Sequence, residues 1–183
     1  MQMGPGLDDG DILLQEKVKI SSDETGGSLF DKLADVGASL LVKTLEGLDR
    51  GEITPIPQDE TKATHVGMIR KDMGKLDFSR TAVELERHVR GLYPWPGTYT
   101  HFEGKSLKVY KAGVIAESEL TSGEKAGQVG TLVRISTEAD GRIAVRCSDG
   151  ALQIFTLQLE GKKQMSASAF LNGHPIEIGE QLG

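Results

Sequence analysis

The chain has 183 residues, of which 38% are hydrophobic, enough for one large domain or two small ones with a buried core. The single cysteine excludes an internal disulfide framework and a cysteine-only zinc site, and it favours a reducing compartment, so we expect a cytoplasmic protein. No apolar run approaches the roughly 20 residues that a membrane span needs. The acidic first twenty residues do not resemble a signal peptide, so we expect no membrane partner.

The net charge of −6 hides an uneven distribution. Residues 1–60 hold 13 Asp/Glu against five Lys/Arg, whereas residues 61–110 hold nine Lys/Arg against five Asp/Glu. An acidic first third followed by a basic middle is typical of a chain whose middle contacts a polyanion. The alternative is an unevenly charged surface without such a partner.

The chain opens on a glycine-rich loop, Met3 to Leu14, that carries Asp8, Asp9 and Asp11. Three carboxylates in four residues suit a hard cation, but no further ligand follows at loop-like spacing, so we predict no metal site. The alternation at the end of Ile12–Ile20 predicts a strand.

A long amphipathic helix is predicted next, with Ser28 as its N-cap, Asp31 at the third position and Gly51 as its stop. Its apolar residues recur at helical spacing and need a sheet to pack on, which one strand cannot supply. We therefore interpret residues 1–52 as the end of a larger domain. Two prolines and little periodicity predict a linker over residues 53–66.

Residues 67–183 are predicted to form a second domain. A hairpin over Met68–Phe78 turns at Gly74, and a helix over residues 81–93 is capped by Thr81 and Glu84. Short alternating segments separated by turns then predict a small closed barrel of the oligonucleotide-binding type. The predicted strands and later elements are Thr98–Phe102, Leu107–Val114, Gly130–Ser136, Arg142–Cys147 and Leu152–Leu159, with turns at residues 139–141 and 148–150, an exposed loop at 117–127, a helix at 166–173 and a tail at 179–183. The fold class is thus α+β.

Several blocks resemble the methionyl-tRNA formyltransferases, which are folate-dependent formyltransferases. The first loop is similar to their Met-Asp-x-Gly-Leu-Asp-Thr-Gly-Asp loop, and further blocks follow in family order at residues 23–33, 51–58, 93–97 and 161–173. The resemblance covers almost the whole chain. It implies the last strand and helix of a Rossmann-like formyltransferase domain, a linker, and a barrel that helps to bind initiator methionyl-tRNA.

The same resemblance implies which chemistry the first loop serves. The family transfers a formyl group from 10-formyltetrahydrofolate to the amino group of methionine on initiator tRNA, using an Asn, a His and an Asp. Asp8 matches the catalytic Asp, and Leu7, Asp8 and Gly10 fall on folate-binding positions. Gly4 stands where the family usually has Asp, and Asp9 where it often has Thr.

The catalytic Asn and His of the family lie in an N-terminal segment that these residues do not contain. We therefore expect the isolated 183 residues to be inactive, and we expect that segment to be a partner. None of His65, His88, His101 and His174 lies in an Asn-x-His arrangement, so each is predicted to be structural or merely exposed.

Basic residues after the linker are the candidates for tRNA contact, because Lys and Arg bind phosphates without reading sequence. The predicted tRNA-binding residues are Arg70, Lys71, Lys75, Arg87, Arg90, Lys162 and Lys163. Lys105, Lys108 and Lys111 on the barrel are further candidates, and Arg70, Lys71 and Arg87 rank highest because they match basic positions in the blocks of the family that the sequence resembles. Trp95, between two prolines, is predicted to pack in a corner instead of stacking on a base. DNA is not expected as a partner.

Two other functions remain open at this point. A formyltransferase acting on a nucleotide sugar would share the two-domain plan, although the Pro-Trp-Pro-Gly and Gly-Lys-Lys blocks favour the tRNA enzyme. A stand-alone RNA-binding barrel would bind RNA in a salt-sensitive way through its second domain alone.

Overall fold

The computed structural model describes residues 1–136 and 142–183. The chain divides into two compact units, Met1–Met68 and Ile69–Gly183. Within the described residues, every helix is too short or too polar to cross a membrane.

The first unit is built on helix α1, Gly26–Asp49. Its N-cap is Thr25, not the predicted Ser28, because the Thr25 hydroxyl accepts a hydrogen bond from the Ser28 amide at 3.1 Å and starts the helix earlier. The predicted stop is confirmed, since Gly51 follows the helix with a φ of 68°, a conformation that glycine adopts without strain.

The strand predicted over Ile12–Ile20 is wrong. Only Ile12 forms a bridge, an antiparallel pair with Ile56, and residues 13–20 have no strand structure. The physical reason is that alternation fits a strand only where another backbone is available for pairing, and the first unit offers one only at Ile56.

The segment predicted as a linker contains ordered structure. Ile56 exchanges two backbone hydrogen bonds with Ile12, at 2.8 and 2.9 Å, and Glu60–Lys62 forms a turn of 3₁₀ helix capped by Asp59. Residues 53–68 lie within the first unit.

The second unit is a six-stranded antiparallel sheet with short helices. In chain order its elements are α2 (Ala82–Gly91), β1 (Thr98–Phe102), β2 (Lys105–Ile115), α3 (Ser122–Lys125), β3 (Leu132–Ser136), β4 (Arg142–Arg146), β5 (Ala151–Leu159), β6 (Met165–Ser166) and α4 (Ala167–Gly173). The strand order is β1-β2-β5-β4-β3, with β6 paired to β5. The α+β class is confirmed; the predicted turn at residues 139–141 lies outside the described residues.

The core lies between the sheet and helices α2 and α4. Leu85 of α2, Leu107 of β2, Ile154 of β5 and Phe170 of α4 are all at most 2% exposed. The predicted capping box of α2 is confirmed: Thr81 caps the Glu84 amide, and the Glu84 carboxylate accepts from the Thr81 amide at 2.9 Å. Cys147, which follows β4, is also fully buried, and burial raises the pKa of its thiol to about 11.

The hairpin predicted over Met68–Phe78 is wrong. Lys71–Gly74 is a turn of 3₁₀ helix, and the Leu76 amide then donates to the Tyr99 carbonyl at 2.8 Å. Gly74 is required by packing: a Cβ there would lie 2.2 Å from the Gly97 carbonyl oxygen. The glycine therefore marks a close approach between two segments, not a hairpin turn.

Residues 179–183 are not a free tail. Thr131 pairs with Gln181, and the Leu182 amide donates to the Gly130 carbonyl at 2.9 Å. Gly183 donates to the His101 carbonyl of β1 at 3.1 Å. The last residues thus contact both outer strands of the main sheet path, and Leu182 is only 3% exposed.

Candidate functional site

The loop that carries Asp8 is closed by backbone hydrogen bonds. The Gln2 amide donates to the Asp11 carbonyl at 2.8 Å, next to the Ile12–Ile56 pair. The Gln58 side-chain amide donates to two loop carbonyls, that of Asp8 at 2.8 Å and that of Gly10 at 2.7 Å. Gln58, in the predicted linker, thus fixes the backbone on both sides of Asp9.

Gly10 is needed because a backbone atom occupies the space of a side chain, whereas the closest atoms at Gly4 and Gly6 belong to the end of the Asp9 side chain. A Cβ on Gly10 would lie 1.7 Å from the Gln2 carbonyl oxygen, and one on Gly4 or Gly6 would lie 2.2 or 2.4 Å from the Asp9 carboxylate. That carboxylate accepts a hydrogen bond from the Gly6 amide at 3.0 Å. Asp9 therefore stabilises the conformation of the loop. Within residues 1–136 and 142–183, no group of three or more Asp, Glu, His or Cys side chains is arranged to hold a metal ion.

Asp8 lies at the exposed tip of this loop. Its φ of 54° is in the left-handed region, which Asp tolerates better than most residues. Within the described residues its carboxylate makes no hydrogen bond, so its oxygens are available to another group. Leu7 beside it is 81% exposed and Gly10 is half-buried, so the loop brings the three predicted folate residues together.

A groove on the second unit combines aromatic and basic side chains. We call it the Trp95 groove: a cleft of about 430 Å³ lined by residues 95–99 together with Lys71, Ser106 and Lys108. A smaller hollow of about 190 Å³ shares Ser106 and Lys108 with it and extends to Gln158 and Gly161. The two hollows therefore adjoin each other at Ser106 and Lys108.

Strand register explains why these side chains meet. Tyr99 of β1 is opposite Lys108 of β2, which is opposite Gln158 of β5. Side chains on one face of a sheet recur at every second residue, so His101 belongs to the same face as Tyr99, whereas Tyr110 lies at an irregularity in the β2–β5 register. Tyr99 and His101 are in edge-to-face contact at 5.8 Å, and the Tyr110 hydroxyl contacts the Gln158 side-chain carbonyl at 2.6 Å.

Two predicted tRNA-binding arginines have acidic partners. Arg70 donates to both carboxylate oxygens of Asp72, at 3.1 and 3.2 Å, and this hydrogen bonding lowers the pKa of Asp72. Arg90 donates to Glu86 one turn earlier on α2, at 2.5 Å. The positive charges of Arg70 and Arg90 are therefore partly neutralised by these carboxylates.

The remaining predicted tRNA-binding residues are exposed lysines and one arginine, at different places. Lys71 lines the Trp95 groove, whereas Lys75 lines another cleft beside Gln181. Arg87 is on the outer face of α2. Lys162 and Lys163 are in the turn after β5, where the Lys162 carbonyl accepts a hydrogen bond from Gln158. The structure thus brings Lys71 to the groove and the Lys162 backbone next to Gln158 of the smaller hollow, whereas Lys75 lines a different cleft.

The prediction that Trp95 packs in a corner is wrong, because its side chain is 59% exposed on the rim of the groove. The sequence reasoning also missed Tyr99, and it ranked Lys108 low. The alternation of Tyr99 with buried Thr98 and Thr100 is the signal that could have placed Tyr99 on an exposed strand face.

The three histidines of the second unit make different contacts. His88 contacts the Met73 carbonyl at 2.7 Å. His174 stacks on Phe170, with ring centroids 4.3 Å apart, and His101 belongs to the strand face described above.

Comparison with known proteins gives a consistent family. Residues 68–175 match the formyl transferase C-terminal domain. The chain is 50% identical to the methionyl-tRNA formyltransferase of Lachnospira eligens and 40% identical to that of Alkaliphilus oremlandii, aligning along its whole length with each. It spans 57% and 56% of the lengths of these relatives.

A solved structure of HypX from Aquifex aeolicus in complex with tetrahydrofolic acid has a similar fold. The TM-score is 0.61 at 17% identity, over 92% of this chain and 28% of that one. At this identity the likeness concerns the fold alone. The family match shows that the chain belongs to the formyl transferase C-terminal domain family, and the relatives show that it is a homologue of methionyl-tRNA formyltransferases.

Proposed function

We propose that these residues are the C-terminal portion of a methionyl-tRNA formyltransferase that acts in the cytoplasm. In this proposal the second unit helps to hold initiator methionyl-tRNA while a formyl group moves to it from 10-formyltetrahydrofolate. The observation that carries the proposal is the 50% identity to a methionyl-tRNA formyltransferase along the full chain.

The first unit would contribute Asp8 to the catalytic site. The methionine amine attacks the formyl carbon, loses a proton, and expels the folate nitrogen, which gains one. A carboxylate beside a His commonly orients that ring and stabilises its charged form. The exposed, unpaired Asp8 carboxylate suits that role, with Leu7 and Gly10 contacting folate.

The second unit would contribute a curved sheet of the oligonucleotide-binding type. The last residues pair with β3 and donate to β1, which supports closure of the sheet into a barrel through this segment. We take residues 1–52 as the end of the formyltransferase domain, 53–66 as the linker and 67–183 as the tRNA-binding domain.

Two measurements on the 183-residue chain test the proposal. Anisotropy with labelled initiator methionyl-tRNA should show binding that weakens as salt is raised, and Lys162→Gln should reduce the salt slope by about 1. Lys43→Gln on α1 is the matched control and should leave the slope unchanged.

A formylation assay with methionyl-tRNA and 10-formyltetrahydrofolate should show no turnover by the 183 residues alone. Removing cooperating catalytic groups typically lowers the rate by orders of magnitude. Turnover comparable to that of a complete methionyl-tRNA formyltransferase, or the absence of tRNA binding, would contradict the proposal.

A further inference from the structure

The Trp95 groove has a combination of features that a solvated surface rarely shows. A tryptophan that is 59% exposed leaves a large flat apolar surface in water, on the rim of a cleft of about 430 Å³. A cleft of this size has room for one planar ring system with its attached groups. The exposed indole therefore provides a stacking surface.

The charges in the groove favour an anion beside that ring. Lys71 and Lys108 line the cleft, both are exposed, and neither forms an ion pair within the described residues. This distinguishes them from Arg70 and Arg90, which have acidic partners at 3.1 and 2.5 Å. Their ammonium groups can therefore bind an anion without first breaking a salt bridge.

One acid lies among the described residues that line the two hollows, and it shares the smaller hollow with Lys108. The Glu160 carboxylate lines the smaller hollow and accepts a hydrogen bond from the Ser106 amide at 3.0 Å. Lys71 lines only the larger hollow, as Trp95 does, so a phosphate is attracted most strongly at Lys71, while Glu160 partly offsets the attraction of Lys108.

We propose that the Trp95 groove binds one unpaired nucleotide of RNA, with its base stacked on Trp95 and its flanking phosphates on Lys71 and Lys108. A base inside an RNA duplex cannot present its face to a side chain, whereas an unpaired base can. The inference rests on the proposed tRNA partner and assigns a specific contact to it.

Trp95 is the only tryptophan of the chain, so its fluorescence reports directly on the groove. The full 183-residue chain is titrated with initiator methionyl-tRNA and, separately, with a single-stranded hexaribonucleotide. Both probes should quench the emission, and a duplex RNA of the same composition should quench it much less at equal phosphate concentration.

Variants separate stacking from charge. Trp95→Leu should weaken hexanucleotide binding about tenfold and Trp95→Phe should restore part of the loss, because stacking contributes through the aromatic face. Lys71→Gln and Lys108→Gln should weaken binding without changing the quenching at saturation. Lys125→Gln, an exposed lysine outside the groove, is the control.

The possible outcomes separate a failure of the Trp95 groove assignment from a failure of the proposed tRNA partner. Binding of tRNA without quenching, and unchanged in Trp95→Leu, overturns the groove assignment and leaves the proposed function standing. Quenching by the hexanucleotide without tRNA binding supports the groove and contradicts the proposed partner. Equal quenching by the duplex overturns the claim that the nucleotide is unpaired.

Discussion

Gln58 shows how much one side chain can determine in a loop. Its amide donates to the carbonyls of Asp8 and Gly10, at 2.8 and 2.7 Å, beside the hydrogen-bonded Ile12–Ile56 pair. Each such bond contributes about 0.5–1.5 kcal/mol. The conformation of the Asp8 loop thus depends on a residue some fifty positions along the chain.

We predict that Gln58→Leu opens this loop without unfolding the second unit. The Ile12 and Ile56 amides should exchange with deuterium about tenfold faster, because the loop loses two hydrogen bonds. Gln15→Leu, at an exposed position, is the control and should leave both rates unchanged. Unchanged exchange in Gln58→Leu would mean that the Ile12–Ile56 pair holds the loop by itself.

Glu124 of α3 makes the stability of the second unit depend on pH. Its carboxylate accepts hydrogen bonds from Arg134 at 2.6 and 2.9 Å, which lower its pKa from 4.5 to about 2. Because the pKa is depressed in the folded state, the stabilisation is complete above the unfolded value and is lost as the pH falls toward about 2.

Glu124→Gln should therefore lower the free energy of unfolding by about 1–3 kcal/mol at neutral pH. The difference from the parent chain should shrink as urea unfolding is repeated from about pH 5 downward. Glu177→Gln, at an exposed carboxylate without an ion pair in the described part of the chain, is the control. It should change the free energy of unfolding little, both at neutral pH and at low pH. A difference that stays constant with pH would contradict the assignment.

At the scale of elements, the last residues of the chain belong to the sheet. Leu182 is 3% exposed, whereas Ile178 is 69% exposed. Leu182→Ala should cost about 2–4 kcal/mol of unfolding free energy, in the range of buried Leu truncations. Ile178→Ala should lower the free energy of unfolding by less than about 0.5 kcal/mol. Both values are measured by differential scanning calorimetry. Equal effects would show that the segment does not stay docked in solution.

The elements that the sequence predicted correctly depend on local signals. The Thr81–Glu84 capping box fixes the start of α2, and the predicted turn at residues 148–150 between β4 and β5 contains Gly150 with a positive φ. The failures concern distant contacts. Alternation over residues 12–20 does not reveal whether a partner strand exists, and the glycine at position 74 is required by Gly97, a neighbour only in space.

Prediction of the candidate site also succeeded where the signal was local in sequence and failed where it depended on contacts between distant residues. A family motif indicated Asp8 and its loop, because the loop is contiguous in sequence. The Trp95 groove combines a proline-rich corner, two strands and a 3₁₀ turn, which only the fold brings together. For this reason sequence reasoning ranked Arg70, Lys71 and Arg87 highest by motif but misjudged Trp95.

At the scale of the whole molecule, the two units differ in how completely they bury apolar surface. The second unit has a continuous core, whereas α1 of the first exposes large apolar side chains along one stripe. Among them are Phe30, Leu33, Leu41, Leu45 and Leu48, which are 42–74% exposed. Contiguous apolar surface of this kind promotes association.

We predict that the 183-residue chain self-associates through α1. In sedimentation velocity, Leu41→Lys combined with Leu45→Lys should shift the chain toward monomer, because two charges would have to be buried in the contact. Val66→Lys, at an apolar residue that is 85% exposed and outside the helix, is the control. Association equal to that of the parent chain in the double variant would contradict this prediction.

The deeply buried thiol gives the molecule a practical property. Cys147 is the only cysteine and is 0% exposed, and its burial raises the pKa of its thiol to about 11. Since the thiolate is the reactive form, maleimide reagents should leave the native chain unmodified. A cysteine introduced at Lys71 or Lys162 would then be the single attachment point for a dye or a photocrosslinker, and the path of bound RNA could be traced without first removing a native thiol.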